Sequence, residues 1–315
     1  MNVGRLNAAR STVAAVVLGV LLFVILVNYA PDSVAFSPNN YGWDGIRGVY
    51  LTYRINFTNS ISSVPTNSTF VVLQPNTVFS PADIEVVRTH LTRGGVVLVA
   101  DNSGVANSLL RGLGSGIVIQ SDLSVNDPTY NWRAQSLPTA FVLSGAPAQF
   151  RFAANVSAIA LNKPSPLLLK SSADVSIAST SPFSFAEASS GTGKVAHGPF
   201  VVIAAEKVGT GTLVVIGDPQ LLLNAEWTIS DNPVLIRNLF SGTKVFIDAS
   251  HWTAGPLTSS TAQVKAGFGE LFDAISGVPA KYVVTVLFIG FGLAMVPSVE
   301  RRWGRQDVPE AANNP

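Results

Sequence analysis

The chain contains no cysteine. Disulfide staples, thiolate metal centres and a cysteine nucleophile are thereby excluded, and any folded domain must stand on its apolar core alone. Charge is scarce as well. Asp, Glu, Lys and Arg make up 12% of the 315 residues, and 20 basic side chains against 19 acidic ones leave a net charge of +1. The basic residues gather into no stripe, which argues against nucleic acid as a main partner. Only three histidines occur, His90, His197 and His251. None has a second ligand at helical spacing on its own element, so no transition-metal signature is present. The stretch Gly191-Thr192-Gly193-Lys194 lacks the spacing of a phosphate loop, and Val195 stands where that loop needs a hydroxyl. No cofactor and no metal is expected.

What is abundant is apolar: hydrophobic residues reach 47% and the mean hydropathy is +0.36. Values this high direct attention to membrane segments. Residues 12–29, TVAAVVLGVLLFVILVNY, carry no charge, follow Arg5 and Arg10, and would rise about 27 Å as a helix. The small residues of a signal cleavage site are poorly met by Asn28-Tyr29-Ala30, which favours an uncleaved anchor over a signal peptide. A second apolar run, YVVTVLFIGFGLAMV, lies within residues 280–298 and is followed by Arg301, Arg302, Trp303 and Arg305. Two transmembrane helices with basic flanks predict a two-pass protein of the cell membrane. Residues 1–11 and 299–315 would be cytoplasmic, and 30–279 would form an extracytoplasmic α/β domain. Three Asn-x-Ser/Thr sequons, at Asn56, Asn67 and Asn155, accord with an exported domain that could be glycosylated.

Within that domain the clearest unit begins at Thr69. TFVVL reads as a buried strand, and Ser80-Pro81 opens a helix with Ser at the N-cap and Pro at N1. Ile84, Val87 and Leu91 make its apolar stripe, Gly94-Gly95 ends it, and VVLVA is the next strand. Strand, capped helix and strand form a βαβ unit, which implies a parallel sheet. From about 117 to 188 short β-like pieces between Pro, Asn and Ser clusters predict a β-rich insertion. FVVIAAE and TLVVI flank a Gly-rich turn and predict a hairpin. Asn232-Pro233 is expected to cap and open a further helix, and KVFIDAS is expected to be the last buried strand.

Three stretches, LQPNTVFSPADIEVVRTHLTRGGVVLVADNSG, HGPFVVIAAEKVGTGTLVVIGDPQLLLN and DNPVLIRNLF, together resemble a family. It consists of uncharacterised, membrane-anchored prokaryotic proteins, often archaeal, whose outer domain is similar to class I glutamine amidotransferases. The resemblance covers roughly residues 35 to 250. It implies a flavodoxin-like (amidotransferase-like) three-layer α/β sheet and brings no established activity. The catalytic Cys of active amidotransferases is absent, so glutamine hydrolysis by that route is not available.

In a doubly wound sheet, ligands bind beyond the carboxyl ends of the strands. Asp101, Asp218 and Asp248 each follow a predicted strand, and with Asn224 they define a candidate rim for a ligand, a partner or a hard cation. The order Ser103, Asp218, His251 matches the Ser-Asp-His order of α/β-hydrolases, but Ser103 lacks the small residues of a G-x-S-x-G elbow. Asp218 before Pro219 has a plainer reading as a cap that accepts from backbone N–H groups. Two functions are expected on these grounds. The preferred one is a non-catalytic, membrane-anchored domain for protein interaction, envelope assembly or ligand sensing, with the membrane and other membrane or envelope proteins as partners. The alternative is an exported serine hydrolase or cation-dependent enzyme that uses the strand-end rim.

Overall fold

The computed structural model describes residues 33–252 except 189, 191 and 192, together with residues 15, 18, 19, 22 and 23. The chain divides into two units, and nearly all described residues belong to the second, Pro31–Ser259.

A short helix, α1 (Arg47–Tyr53), leads into an edge strand, β1 (Asn56–Thr58). The predicted βαβ unit follows as β2 (Thr69–Leu73), α2 (Pro81–Thr92) and β3 (Val96–Ala100). Ser80 caps α2 in a full capping box. Its Oγ accepts from the Asp83 N–H at 3.2 Å, and the Asp83 carboxylate accepts from the Ser80 N–H at 3.0 Å. Gly94, at φ +94°, ends the helix in the left-handed region that glycine enters without a Cβ clash. Gly95 is required for space, because a Cβ there would lie 2.2 Å from the His90 ring.

Helix α3 (Asn107–Leu113) then precedes the segment predicted to be rich in strands. Here β4 (Ile117–Ile119), β5 (Leu123–Asn126), β6 (Thr139–Val142), a one-turn helix α4 (Ala146–Gln149), β7 (Ala158–Ala160), β8 (Leu167–Leu169), β9 (Val175–Ser179) and β10 (Phe185–Ala188) follow one another. Strand β11 (Lys194–His197) precedes the hairpin of β12 (Val201–Val208) and β13 (Gly211–Ile216). Helix α5 (Asn232–Phe240) and strand β14 (Val245–Asp248) complete the described fold.

Nine strands form one sheet in the order β1-β14-β2-β3-β13-β12-β9-β6-β7. The first five are mutually parallel, and the last four add on antiparallel. Strands β4 and β8 pair as a small ribbon, while β5, β10 and β11 make a separate three-stranded sheet. Side chains alternate across the parallel part, as the period of two requires. Phe70, Val72, Val97, Val99, Leu213 and Val215 pack on one face with Val87 and Leu91 of α2 and Leu109 and Leu110 of α3. Val71, Leu73, Leu98, Val214 and Ile216 face the other way, toward Leu235, Ile236, Leu239 and Phe240 of α5 and Val49 of α1. Each such side chain, withdrawn from water, contributes about 1.5–3 kcal/mol, which is how a chain without cysteine holds this domain together.

Two expectations are corrected. Counted in chain order, the parallel strands run 1-5-2-3-4 across the sheet, whereas a flavodoxin-like sheet runs 2-1-3-4-5. The reason lies in α5. The chain leaves β13, packs α5 on the far face, and inserts β14 between β1 and β2 instead of beyond β13. The architecture is therefore a mixed α/β fold with one large sheet.

The second correction concerns the flanking transmembrane helices and the two-pass localisation with both termini cytoplasmic. No helix among the described residues is long and apolar enough to cross a membrane. The longest, α2, has 12 residues and carries Asp83, Glu85, Arg88 and His90, whereas a span needs about 20 largely apolar residues. The runs 12–29 and 280–298 themselves lie outside the described residues, apart from the five isolated positions.

Candidate functional site

The carboxyl ends of β14, β2, β3 and β13 lie along one edge of the sheet. Leu73, Ala100 and Ile216 stand abreast in register, so Asp101 and the Gly217-Asp218 turn leave the sheet at nearly the same level. Asp248 ends β14 on the other side of β2. The topology thus brings the three predicted rim aspartates to one edge, yet every one of their carboxylates is buried. Asp101 and Asp248 turn back into their own loops, and Asp218 also reaches the loop of Asn162.

Asp101 accepts from the Ser103 N–H at 2.8 Å and the Ser103 hydroxyl at 2.6 Å with one oxygen, and from the Ala106 N–H at 3.0 Å with the other. It fixes the turn that starts α3. Asp248 accepts from the Ser250 N–H at 3.0 Å and the Ser250 hydroxyl at 2.6 Å. Its second oxygen lies 2.6 Å from His251 Nδ1. The His251 ring is stacked on Phe79 at 3.6 Å, and its Nε2 lies 3.6 Å from Asp83 at the start of α2. One imidazole therefore bridges two carboxylates and ties the end of β14 to the cap of α2. Burial pushes the Asp83 carboxyl upward, but the Ser80 hydroxyl and N–H and the nearby His251 outweigh it and hold it below the usual range.

Asp218 does cap the turn it precedes, accepting from the Gln220 N–H at 2.8 Å. Its other oxygen accepts from the Asn162 N–H at 2.6 Å. The Asn162 side chain in turn donates to Glu226 at 2.8 Å. Asn162 thereby clamps two carboxyl groups, both buried, and among the described residues the second Glu226 oxygen has no hydrogen-bond partner. Burial first, and the Glu226 charge second, push Asp218 well above the usual carboxylate range, with the N–H groups of Asn162 and Gln220 opposing. Burial likewise pushes Glu226 up to about 7 against the pull of the Asn162 amide. The pair is built to retain a proton at neutral pH.

Asn224 points away from this edge. Its Oδ1 accepts from the Gly48 N–H at 2.9 Å, and its amide donates to the Asn40 and Gly42 carbonyls at 3.1 and 2.7 Å. It pins the segment that leads into α1 to the body of the domain.

The alternative triad is not assembled. Ser103, Asp218 and His251 share no hydrogen bond: Ser103 serves Asp101, Asp218 serves Asn162 and Gln220, and His251 serves Asp248 and Asp83. Among the described residues no group of three or more His, Cys, Asp or Glu is arranged to hold a metal. Burial lowers the His90 pKa, and its ring lies against the Ser68 carbonyl at 3.1 Å. The ring fills space beside Gly95. Asn232 caps no helix. It is the buried first residue of α5, bonded through its side chain to both backbone groups of Ala160 at 3.0 Å. The sequon residues Asn56, Asn67 and Asn155 are all exposed.

Sequence reasoning missed Asn162, Glu226, Asp83 and Phe79. Glu226 sits in AEWTISDN, a stretch without period or motif, and Asn162 lies 56 residues from Asp218. Only the fold brings them together.

A model of a domain of unknown function, DUF4350, matches residues 43–240. The fold and its strand-end edge thus define an α/β domain of an uncharacterised class, and the chain belongs to the DUF4350 family. Among curated proteins none matches the sequence. Similar solved structures include the N-terminal domain titled mmIFT52, at 19% identity and TM-score 0.45, covering 59% of this chain and 82% of that one. A ThuA-like protein from Bacteroides uniformis has 13% identity and TM-score 0.35, covering 64% and 80%. A β-galactosidase from Bacillus circulans has 12% identity and TM-score 0.33, covering 54% and 22%.

Proposed function

We propose that this domain is a non-catalytic interaction module whose protein partner docks on an exposed aromatic cluster at the antiparallel end of the sheet. The observation that carries this reading is the cluster's construction. Tyr130, Phe141 and Phe183 are 44%, 38% and 60% exposed. The Tyr130 ring stands edge-on to Phe141 at 5.5 Å and nearly parallel to Phe183 at 6.2 Å. Beneath them the buried Asp127 accepts from the Thr129 and Tyr130 N–H groups at 2.9 and 2.8 Å and from the Ser181 hydroxyl at 2.5 Å. Ser181 Oγ accepts in turn from the Phe183 N–H at 3.1 Å. One carboxylate thus locks the two loops that present the rings.

Aromatic side chains with two rotatable bonds, already held in place, bind a partner with little ordering cost, and such residues dominate interface energetics. The engagement of Ser103 and His251 with other groups supports the same reading over hydrolysis. A photo-crosslinking residue at position 183 should capture a discrete protein, while one at the exposed Leu51 should not. Phe141→Ser in the chain that carries the crosslinking residue should abolish that adduct without shifting the unfolding midpoint. Equal capture from both positions would refute the module. Labelling by a serine-directed probe that disappears in Ser103→Ala would favour the hydrolase instead.

A further inference from the structure

Helix α2 carries a second stripe beside the one that packs on the sheet. Val86, Thr89, His90 and Arg93 meet at i+3 and i+4 spacing, the last of them at the C-cap, so they share one side of the helix. The segment that precedes β2 covers this stripe. Its single 3-10 turn, Ile61–Ser63, is closed by the Val64 N–H on the Ile61 carbonyl. Thr58 Oγ1 donates to the Ser60 carbonyl at 2.8 Å, and the Ser68 hydroxyl donates to the Pro65 carbonyl at 2.5 Å. The cover is held by its own bonds, yet it does not close on the helix. A cavity of about 110 Å3 remains, lined by Ile61 and Val64 of the cover, the α2 stripe and Phe70 of β2.

Size and lining select the guest. An apolar cavity of roughly 150 Å3 admits benzene, so this one takes a body of a few carbon atoms and has no room for a nucleotide or a sugar. None of its lining residues is acidic, and its one permanent cation is Arg93. Arg93 is exposed, and among the described residues it has no acidic partner. Arg88 of the same helix is by contrast held by Glu85 and by the Gly112 and Leu113 carbonyls. The last carbonyls of α2, on Thr89, His90 and Leu91, already accept from the backbone N–H groups of Arg93, Gly95 and Gly94. The partial negative charge of the helix end, which would oppose an anion, is thereby largely satisfied.

We propose that this cavity binds a free short-chain monocarboxylic acid, with its tail against Ile61, Val64 and Phe70 and its carboxylate on the Arg93 guanidinium. The planar fork of a guanidinium matches both oxygens of a carboxylate. A charge pair open to water is weak by itself. The buried tail therefore supplies most of the affinity, and Arg93 supplies the choice of an acid over a neutral analogue.

Acetate, propionate, butyrate and octanoate, with n-butanol as the neutral analogue, are titrated into the full chain. Binding is followed by saturation-transfer NMR and by the ring resonances of His90, which lines the cavity. It should be saturable and tighten about fourfold per added methylene from acetate to butyrate, with no further gain for octanoate, whose tail outgrows the cavity. Butyrate should bind about fivefold tighter than n-butanol, and Arg93→Gln should bring that ratio to about one without moving the unfolding midpoint. Val86→Phe fills the cavity and should remove both ligands. Absence of saturable butyrate binding in the wild type would overturn the proposal, as would an unchanged butyrate-to-butanol ratio in Arg93→Gln. Butyrate binding that survives in Val86→Phe would overturn the cavity as its place.

Discussion

The buried Asp218–Glu226 pair makes stability fall as pH rises. Glu226 is carried from the usual 4.5 to about 7 on folding. A carboxyl whose folded pKa is raised binds its proton more tightly in the folded chain, so its contribution is fully present below the unfolded value. That contribution declines as pH climbs from about 4.5 and is gone above about 7. The linkage corresponds to about 3 kcal/mol of stability lost across that window. Asp218 is shifted in the same direction and adds to the loss.

Replacing Glu226 by Gln keeps an oxygen for the Asn162 amide and removes the charge. Denaturant unfolding of wild type and Glu226→Gln between pH 4.5 and 8.5 tests this. The difference between the two profiles cancels the distant groups they share and keeps Glu226 together with its coupling to Asp218. The variant should gain about 3 kcal/mol on wild type from the acid to the alkaline end. Parallel profiles, or a wild type that grows more stable relative to the variant as pH rises, would refute the reasoning.

Asn224→Ala removes one acceptor and two donations between the strand end and residues 40–48. A loss of about 2–3 kcal/mol is expected, with faster hydrogen exchange at the Gly48 amide than at α2 amides. Gly95→Ala drives a methyl group into the His90 ring and should cost about 1–3 kcal/mol. Most of that cost should vanish in a His90→Ala background, measured as a double-mutant cycle. Ser80→Ala breaks the capping box of α2 and should cost about 1 kcal/mol by thermal or denaturant unfolding.

Much of the parallel half was legible because its signals are local. The Ser80 cap, Pro81 at N1, the stripe through Val87 and Leu91 and the Gly94-Gly95 stop all act within one or two helical turns of their own backbone. The β12–β13 hairpin was legible for the same reason, since Gly209 and Thr210 alone separate its strands. Asp218 was legible as a cap through its neighbour Gln220, but not as half of a buried pair, because Glu226 and Asn162 reach it from other elements. His251 was singled out beside Asp248, yet its second carboxylate, Asp83, comes from a helix 168 residues earlier. Nothing in the spacing around either residue encodes that meeting.

The sequence by itself determined which segments of the parallel half become strands and helices, and which of their faces are apolar. Those outcomes rest on backbone geometry and side chains a few positions apart. Tertiary packing decided that β14 enters between β1 and β2, that the strand-end aspartates turn inward instead of toward a ligand, and that Glu226 faces another acid. Strand order and the pairing of distant polar groups are set by how whole apolar faces cover one another, and that balance is not written in any one stretch of the chain.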